Sequence, residues 1–348
     1  MIGVNRRECT SGAMMCAGAV IGAGFASGRE TVQFFTRYGQ HGWWLIFLAV
    51  LGMVVLSMAC MRTGCGCWCG LYADKPVWMG ACARACAFLM MVISGGAMIS
   101  AAGHMVALVW PSDWAQGIGA VGTVILAWLA SRGRMRPLSI ISGLLTLLMV
   151  LAFFFAIASG NGQESARLMQ AVEPVQLLEA AIGAAGYAAM NITLSIGVVC
   201  SCGRSASPVR SRTAVLFGFL LLALLLLSHY LYLLHPELWN EAFPIVRLLA
   251  SYGRIGFLMS VLLLYLAIFT TLAAVLYGLR EAAQNYAKRP LMRIALWAGL
   301  PLALSCVGFA RIVDRLYAPA GLICLLFVFG PLWYRRGKNS LDNPNGIQ

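Results

Sequence analysis

The chain has 348 residues, of which 61% are hydrophobic and only 11% are charged, and its mean hydropathy is +0.81. This composition excludes an ordinary soluble domain and predicts a protein built from membrane-spanning helices of about 20 residues each. The formal net charge of +13 does not indicate nucleic-acid binding, because the distribution of Arg and Lys between the two sides of a membrane accounts for it.

Hydropathy along the chain predicts an all-α integral membrane protein with ten transmembrane helices. In chain order, the predicted spans are 10–36, 42–61, 83–109, 116–131, 138–159, 176–200, 213–234, 256–284, 291–309 and 317–334. The stretch 235–252, between the seventh and eighth spans, is too polar to cross a bilayer. Its pattern indicates an amphipathic helix that either lies on the interface or caps a cavity.

Most of the 25 Arg and Lys residues fall in connections on the same side as the N-terminus. The positive-inside rule then predicts a multi-pass protein of the inner cell membrane with both termini in the cytoplasm. Ten spans divide into two halves of five, and an odd number per half makes the second half inverted relative to the first. We predict a first repeat over 1–160, a second over 161–335 and a short cytoplasmic tail over 336–348.

Glycines and a charged pair interrupt the first span, in the sequence Gly18-Ala-Val-Ile-Gly-Ala-Gly-Phe-Ala-Ser-Gly-Arg-Glu30. Exposed backbone in hydrocarbon costs several kcal/mol unless its polar groups face protein or a filled cavity. We therefore predict that the helix is broken at Gly22-Ala23-Gly24 and that a ligand binds to the backbone groups freed there. Carbonyls near Ile21 suit a small cation, and the amides around Ala23, Gly24 and Phe25 suit a carboxylate.

The charged pair that follows the glycines admits two interpretations. Ser27-Gly28-Arg29-Glu30 matches a capping box, in which the Ser27 hydroxyl and the Glu30 side chain each accept from the other's amide. In that case Glu30 only caps a helix, and Arg29 reaches outward to the interface. Alternatively, both charges contact the ligand directly. A further hypothesis is an outer gate between Arg29 and Asp314. No acidic residue is otherwise evident in the predicted site.

The sixth span, which opens the second half, contains Gly183, Gly186 and the polar Asn191. Glycine-interrupted segments at corresponding positions of two halves point to the binding site of a transporter. We therefore predict that spans one and six are both discontinuous. The alternative for span six is close helix packing through small residues.

The eighth span offers further oxygen atoms for a cation. The Ala267 carbonyl and the Thr271 hydroxyl lie one turn apart on the same face, and Thr270 lies beside them. Hydroxyl and carbonyl oxygens suit a hard monovalent ion. The alternative is that the threonine hydroxyls bond back to a carbonyl of the preceding turn.

These segments resemble a known family. Gly18-Ala-Val-Ile-Gly-Ala-Gly24 and Ala267-x-x-Thr-Thr271 look like the sodium and substrate motifs of the LeuT-fold (amino acid–polyamine–cation) superfamily. Val20-Ile-Gly-Ala-Gly-Phe-Ala-Ser-Gly-Arg-Glu30, followed by Phe34-Phe35 and by Tyr187-Ala-Ala-Met-Asn191, is more closely similar to the YkvI-type amino acid permeases. The resemblance covers nearly the whole chain in the number and order of its spans.

The resemblance implies two neighbouring sites. The sodium site would consist of main-chain carbonyls and hydroxyls, from Gly18, Ile21, Ala267, Thr270 and Thr271. The substrate site would run along the backbone of Gly22, Ala23 and Gly24, closed by Tyr187 and Asn191. Since the third span lines the substrate cavity in this fold, Ser94, Ser100 and His104 are further candidates for contact with the solute.

The connection after span two reads Gly64-Cys-Gly-Cys-Trp-Cys-Gly70. Alternating cysteines can hold zinc or a softer metal, but no histidine lies nearby and the C-x₂-C spacing is absent. We expect Cys65, Cys67 and Cys69 to be small, reduced residues at the membrane edge.

The sequence as a whole predicts a cation-coupled secondary transporter of a small zwitterionic or carboxylated solute, with an amino acid as the expected solute. Sodium is the expected coupling ion, and a proton is the alternative. Spans one, two, six and seven would rock against spans three, four, eight and nine. The alternative is a solute-sensing receptor that keeps this fold without transport. We expect no enzymatic activity, since no acid/base cluster converges at one depth. We also expect no cofactor other than Na⁺, and the expected partners are the lipid bilayer, the solute and a monovalent cation, with no nucleic acid.

Overall fold

A computed structural model describes residues 2–64, 68–131, 135–158, 174–286 and 288–333. Over these ranges the protein is almost entirely helical and contains no strand. The helices before residue 160 are α1 (Ile2–Val20), α2 (Ala23–Ser27), α3 (Arg29–Phe34), α4 (Gly42–Arg62), α5 (Val77–Val109), α6 (Ala115–Ser131) and α7 (Met135–Ala158). The later helices are α8 (Pro174–Leu194), α9 (Ile196–Ser201), α10 (Ser207–Leu233), α11 (Pro244–Ala250), α12 (Gly253–Tyr286), α13 (Pro290–Ser305) and α14 (Phe309–Trp333).

The helices identify a multi-pass membrane protein. Within the described ranges, the helices long and apolar enough to cross a bilayer are Thr36–Arg62, Val77–Val109, Gln176–Leu194, Ser207–Leu233, Gly253–Arg280 and Phe309–Trp333. Helices α6 and α13 are shorter but also apolar. Large hydrophobic side chains are exposed on the outer helix faces, such as Leu51, Phe154 and Leu262, as expected where lipid replaces water.

Helix packing separates two groups of helices. In the first, α4 contacts α8 and α10, and α1 contacts α8 and α10. In the second, α5 contacts α6, α12 and α13, and α12 also contacts α6. Helices α14 and α7 join the groups, because α14 packs against both α8 and α5, and α7 against both α1 and α12; α5 and α8 also touch directly. The short helices α2 and α3 lie between the groups, with α2 against α12 and α3 against α8, α10 and α14.

The polar stretch 235–252 is not a single amphipathic helix. It forms a short turn of 3₁₀ helix over Pro236–Leu238 and then α11, and the two are separated by residues 239–243. Proline at position 244 fixes the start of α11. The side chains of Ile245, Val246, Leu248 and Leu249 are buried, and α11 packs on α2 and α12. This segment therefore covers the bundle next to the discontinuity, as the cavity-capping alternative requires.

The predicted discontinuity in span six is wrong at the glycines. Helix α8 continues through Gly183 and Gly186 to Leu194, and the chain departs from helical geometry only at Ser195. A Cβ on Gly186 would lie 3.2 Å from the Ala318 carbonyl and would contact Leu322. Close packing against α14 therefore explains this glycine, in agreement with the alternative interpretation.

Candidate functional site

The helix of the first span is interrupted near its middle. Helix α1 ends at Val20, and Gly22 has extended geometry (φ −91°, ψ −173°) before α2 begins at Ala23. The Gly22 amide donates to the Val20 carbonyl at 2.7 Å instead of to the Gly18 carbonyl, its acceptor in a continuous helix. The first bond of the new helix runs from the Ala26 amide to the Gly22 carbonyl, at 2.9 Å. The break thus frees the Gly18 carbonyl and the first amides of α2.

The capping box predicted for Ser27 and Glu30 does not form. The Ser27 hydroxyl donates to the Gly24 carbonyl at 2.7 Å and accepts from the Arg29 amide at 3.1 Å. Gly28 follows with φ 82°, a left-handed conformation in which glycine carries no Cβ penalty. Ser27 therefore lies at the end of α2, and the first span has a second turn between α2 and α3.

Two glycines of the break make room for polar side chains from other helices. A Cβ on Gly22 would lie 3.2 Å from Thr271 Oγ1, on α12. A Cβ on Gly24 would overlap the carboxyl group of Glu30, on α3. We had expected these glycines to open the backbone to a ligand. The structure instead shows a hydroxyl and a carboxyl group already packed against that backbone.

The threonines of α12 are bonded back to their own helix. Both the Thr270 and the Thr271 hydroxyls donate to the Ala267 carbonyl, at 3.1 Å and 2.9 Å. This is the arrangement of the alternative interpretation. Each hydroxyl oxygen keeps acceptor capacity when its proton is used, and Thr271 Oγ1 also faces Gly22. Neutral oxygens of this kind are ligands that suit a hard cation.

Glu30 belongs to a buried polar cluster that the sequence did not predict. Its side chain is 5% exposed and lies next to the Tyr187 side chain, on α8. Tyr317, on α14, lies near the same carboxyl group and next to Ser94, on α5. The Asn191 amide holds the α8 backbone by donating to the Tyr187 carbonyl at 2.9 Å. An acidic group therefore lies beside the break.

Aromatic side chains surround this cluster. The rings of Phe34 and Phe35 lie 4.9 Å and 5.2 Å from the Tyr187 ring, measured between centroids. Phe25 is buried and contacts Phe153 of α7 edge to face, at 6.4 Å. Aromatic rings therefore pack around the Tyr187 ring, whose side chain lies next to Glu30.

Arg29 points away from Glu30 and forms an ion pair with Asp314. Arg29 Nε donates to Asp314 Oδ1 at 3.0 Å, and Nη2 donates to Oδ2. Its remaining Nη1 donates to the carbonyls of Trp239 and Glu241, at 2.9 Å and 3.0 Å. Asp314 lies within α14, in a π-helical turn over Val313–Tyr317, and not before the tenth span as predicted. The structure thus brings Arg29 and Asp314 together with the segment that covers the bundle.

Two predicted contributors lie apart from these contacts. Ser100 is buried on α5, but it is six residues beyond Ser94, which corresponds to about 9 Å along the helix axis. His104 stacks on Phe243, with ring centroids 5.1 Å apart. The sequence reasoning missed Tyr317 and Ser94 as partners of one cluster. Gly24 was the available indication of the Glu30 contact, because a residue without a side chain often makes room for the side chain of another residue.

The cysteine motif is not part of this site. Cys65 and Cys67 lie outside the described residues, as does the side chain of Cys69. In the described part of the chain, no group of three His, Cys, Asp or Glu residues is arranged to hold a metal. Two apolar grooves on the surface lie elsewhere, one between α5 and α12 and the other between α7, α11 and α12.

No protein family model matches the chain. The chain is 23% identical over 325 residues to the uncharacterized membrane protein YkvI of Bacillus subtilis (strain 168). That alignment covers 91% of this chain and 93% of the relative. The similarity supports membership of a membrane protein family and agrees with the apolar helices described above.

Proposed function

We propose that this protein is a cation-coupled secondary transporter of a small zwitterionic or carboxylated solute, and that the solute is an amino acid. The observation that carries the proposal is the interruption of the first span at Ile21 and Gly22. Broken spans with freed backbone groups occur within membranes where those groups line a binding cavity. The residues packed against the break, Thr271 and Glu30, come from two further helical segments.

The proposed architecture is the LeuT fold, with ten spans in two inverted repeats. Its support is the packing of the helices. Spans one, two, six and seven of that fold correspond to α1, α4, α8 and α10. Spans three, four, eight and nine correspond to α5, α6, α12 and α13. Contacts are formed within each group, as expected for a mobile bundle and a scaffold. Alternating access would then move α1–α3 relative to α12.

In this proposal the solute binds beside the break. The first amides of α2, at Ala23, Gly24 and Phe25, would receive its carboxylate. Tyr187 and Asn191 would close the site from α8.

The proposed coupling ion is sodium, which when bound contributes a single positive charge between α1 and α12. The ion would be held by three carbonyls and two hydroxyls, those of Gly18, Ile21 and Ala267 and those of Thr270 and Thr271. Because these groups belong to both helix groups, an ion bound among them would favour the conformation in which they lie closest. The bonds from both hydroxyls to the Ala267 carbonyl would have to lengthen or rearrange on binding.

Arg29 and Asp314 form the proposed outer gate. Their ion pair links the discontinuous span to α14, and the carbonyls of Trp239 and Glu241 extend the link to the covering segment. Opening the site to that side of the membrane would require these bonds to separate.

Reconstitution of the purified protein alone tests this function. Proteoliposomes would be given a mixture of radiolabelled common L-amino acids, with an inward sodium gradient or with equal sodium on both sides. We expect accumulation that depends on the gradient. Thermal stabilisation by an amino acid without any flux would instead identify a solute-sensing receptor, and the absence of both binding and flux would reject the proposed solute class.

A further inference from the structure

We propose that the Glu30 carboxyl is a proton-binding site of the transport cycle, which accepts a proton from one side of the membrane and releases it to the other. This inference rests on the proposed transport function and adds a second coupling ion to it. The argument depends on the burial of Glu30, on the groups that face it and on its contact with the break.

Burial makes an isolated carboxylate at this position costly. Glu30 is 5% exposed and lies between α8, α10 and α14 in a membrane-spanning bundle. A buried charge persists only when a counter-ion or several hydrogen bonds compensate for lost hydration, and otherwise the group becomes neutral. Glu30 must therefore face a cation, accept several hydrogen bonds or hold a proton.

The charged groups nearest to Glu30 do not compensate it. Arg29, the adjacent residue, directs its guanidinium to Asp314 and to two carbonyls of the covering segment. In the described chain, the other ion pairs join Lys75 to Asp74 and His235 to Glu237, in connections outside the bundle.

The titratable groups on the helices around α3 are two tyrosines next to the carboxyl and two groups further along. The Tyr187 side chain of α8 lies next to the Glu30 carboxyl, and that of Tyr317 of α14 lies near it. On α10, Tyr232 packs its hydroxyl over Gly28, and His229 Nδ1 lies 3.1 Å from the Thr36 hydroxyl. None of these groups carries a fixed positive charge toward Glu30.

The tyrosine partner suits both protonation states. A phenol hydroxyl donates to a carboxylate and accepts from a carboxylic acid, so Tyr187 can bond to Glu30 both before and after the proton arrives. The carboxyl also occupies the space beside Gly24. Ionisation of Glu30 would therefore change the charge directly against the backbone that is proposed to bind the solute, which is the differential interaction that coupling requires.

The test uses proteoliposomes containing the full chain, the labelled amino-acid mixture and equal sodium on both sides. An inward proton gradient of one pH unit can support up to about tenfold accumulation for one proton per solute. We expect the wild type to respond to this gradient. Glu30→Gln, which keeps the size of the side chain, should lose the response while retaining exchange of labelled for unlabelled solute. Glu179→Gln, at an exposed position of α8, is the matched control and should behave as wild type.

Accumulation that follows the proton gradient equally in Glu30→Gln would overturn the inference. If no flux occurs under any condition, the transport proposal fails, and infrared difference spectra then decide the protonation of Glu30 separately. A protonated carboxyl band at neutral pH that disappears in Glu30→Gln supports proton binding, whereas its absence from the wild type refutes it. Tyr187→Phe provides a second variant: it should shift that band, because it removes the hydrogen-bond partner without removing the acid.

Discussion

The carboxyl group of Glu30 occupies the space that a side chain on Gly24 would fill. The two residues belong to consecutive helical segments of one interrupted span, and the turn at Gly28 brings the second segment back beside the first. The sequence pattern Gly22-Ala23-Gly24 is thereby explained as a pair of openings for Thr271 and Glu30. Access for a solute to this backbone then depends on how these two side chains move.

Gly24→Ala should displace the Glu30 carboxyl and impair uptake. The added methyl group would overlap the carboxyl, and overpacking of this kind costs about 1–3 kcal/mol, more than the helix propensity of alanine returns. Gly183→Ala is the control, because a Cβ there meets nothing within 4 Å and alanine favours a helix by about 0.5–1 kcal/mol. Thermal unfolding in detergent and uptake in proteoliposomes would be measured for both. Equal melting temperatures in the two variants would contradict this packing.

Thr271→Ala should abolish the sodium dependence of uptake, while Thr271→Ser should preserve it. The reason is that serine keeps the hydroxyl beside Gly22 and alanine does not. Initial rates at several sodium concentrations measure the effect.

A matched control for Thr271 exists on α8. The Thr193 hydroxyl donates to the Ala189 carbonyl at 2.7 Å, so Thr193→Ala also removes a back-bonded hydroxyl from a buried helix face. We expect Thr193→Ala to leave the sodium response unchanged. If both alanine variants affect expression alike and neither changes the sodium response, the Thr271 hydroxyl serves only its own helix.

Arg29→Lys should weaken closure of the proposed gate even though the charge is retained. Lysine cannot form the paired bonds that the guanidinium makes with both oxygens of Asp314. Because the Asp314 side chain is 28% exposed, we expect a coupling energy of only about 1 kcal/mol between the two side chains. A double-mutant cycle with Asp314→Asn, measured through the rate of solute release, would provide this value. Arg315→Lys, at an exposed position of α14, is the control, and additive effects in the cycle would argue against a gate.

The positions of the helices could be predicted from hydropathy, because a bilayer dictates both the length and the composition of a span. The break in the first span was also predictable, since two glycines within three residues have no use in a lipid-facing helix. The local pattern at Ser27, however, suggested a capping box, because local spacing alone does not reveal that Gly28 adopts φ 82°. That turn decides that Glu30 reaches Gly24 and Tyr187.

Contacts between distant parts of the chain account for the other errors. Gly186 suggested a helix break, but glycine is needed there because the Ala318 carbonyl and Leu322 of α14 pack closely against it. Ser94 and Ser100 are both serines of the same helix, and only the position of Tyr317 distinguishes them. Neither contact can be predicted from the local periodicity of the sequence.

Oxidation should join Cys16 to Cys202 and stop transport if the part of α1 before the break also moves relative to α9, which belongs to the same helix group. The two sulfur atoms lie 3.8 Å apart, and a disulfide needs about 2.05 Å, so a small approach suffices. Diamide would accept the two electrons and two protons released when the thiols form the bond. The cross-link would tie α1, before the break, to the turn that follows α9.

We expect uptake to be lost on oxidation and restored by a thiol reductant, with the linked peptide identified by mass spectrometry. Cys202→Ser should be insensitive, and Cys306→Ser, at an exposed site, should respond as wild type. Full uptake by the cross-linked protein would show that this part of α1 does not move relative to α9.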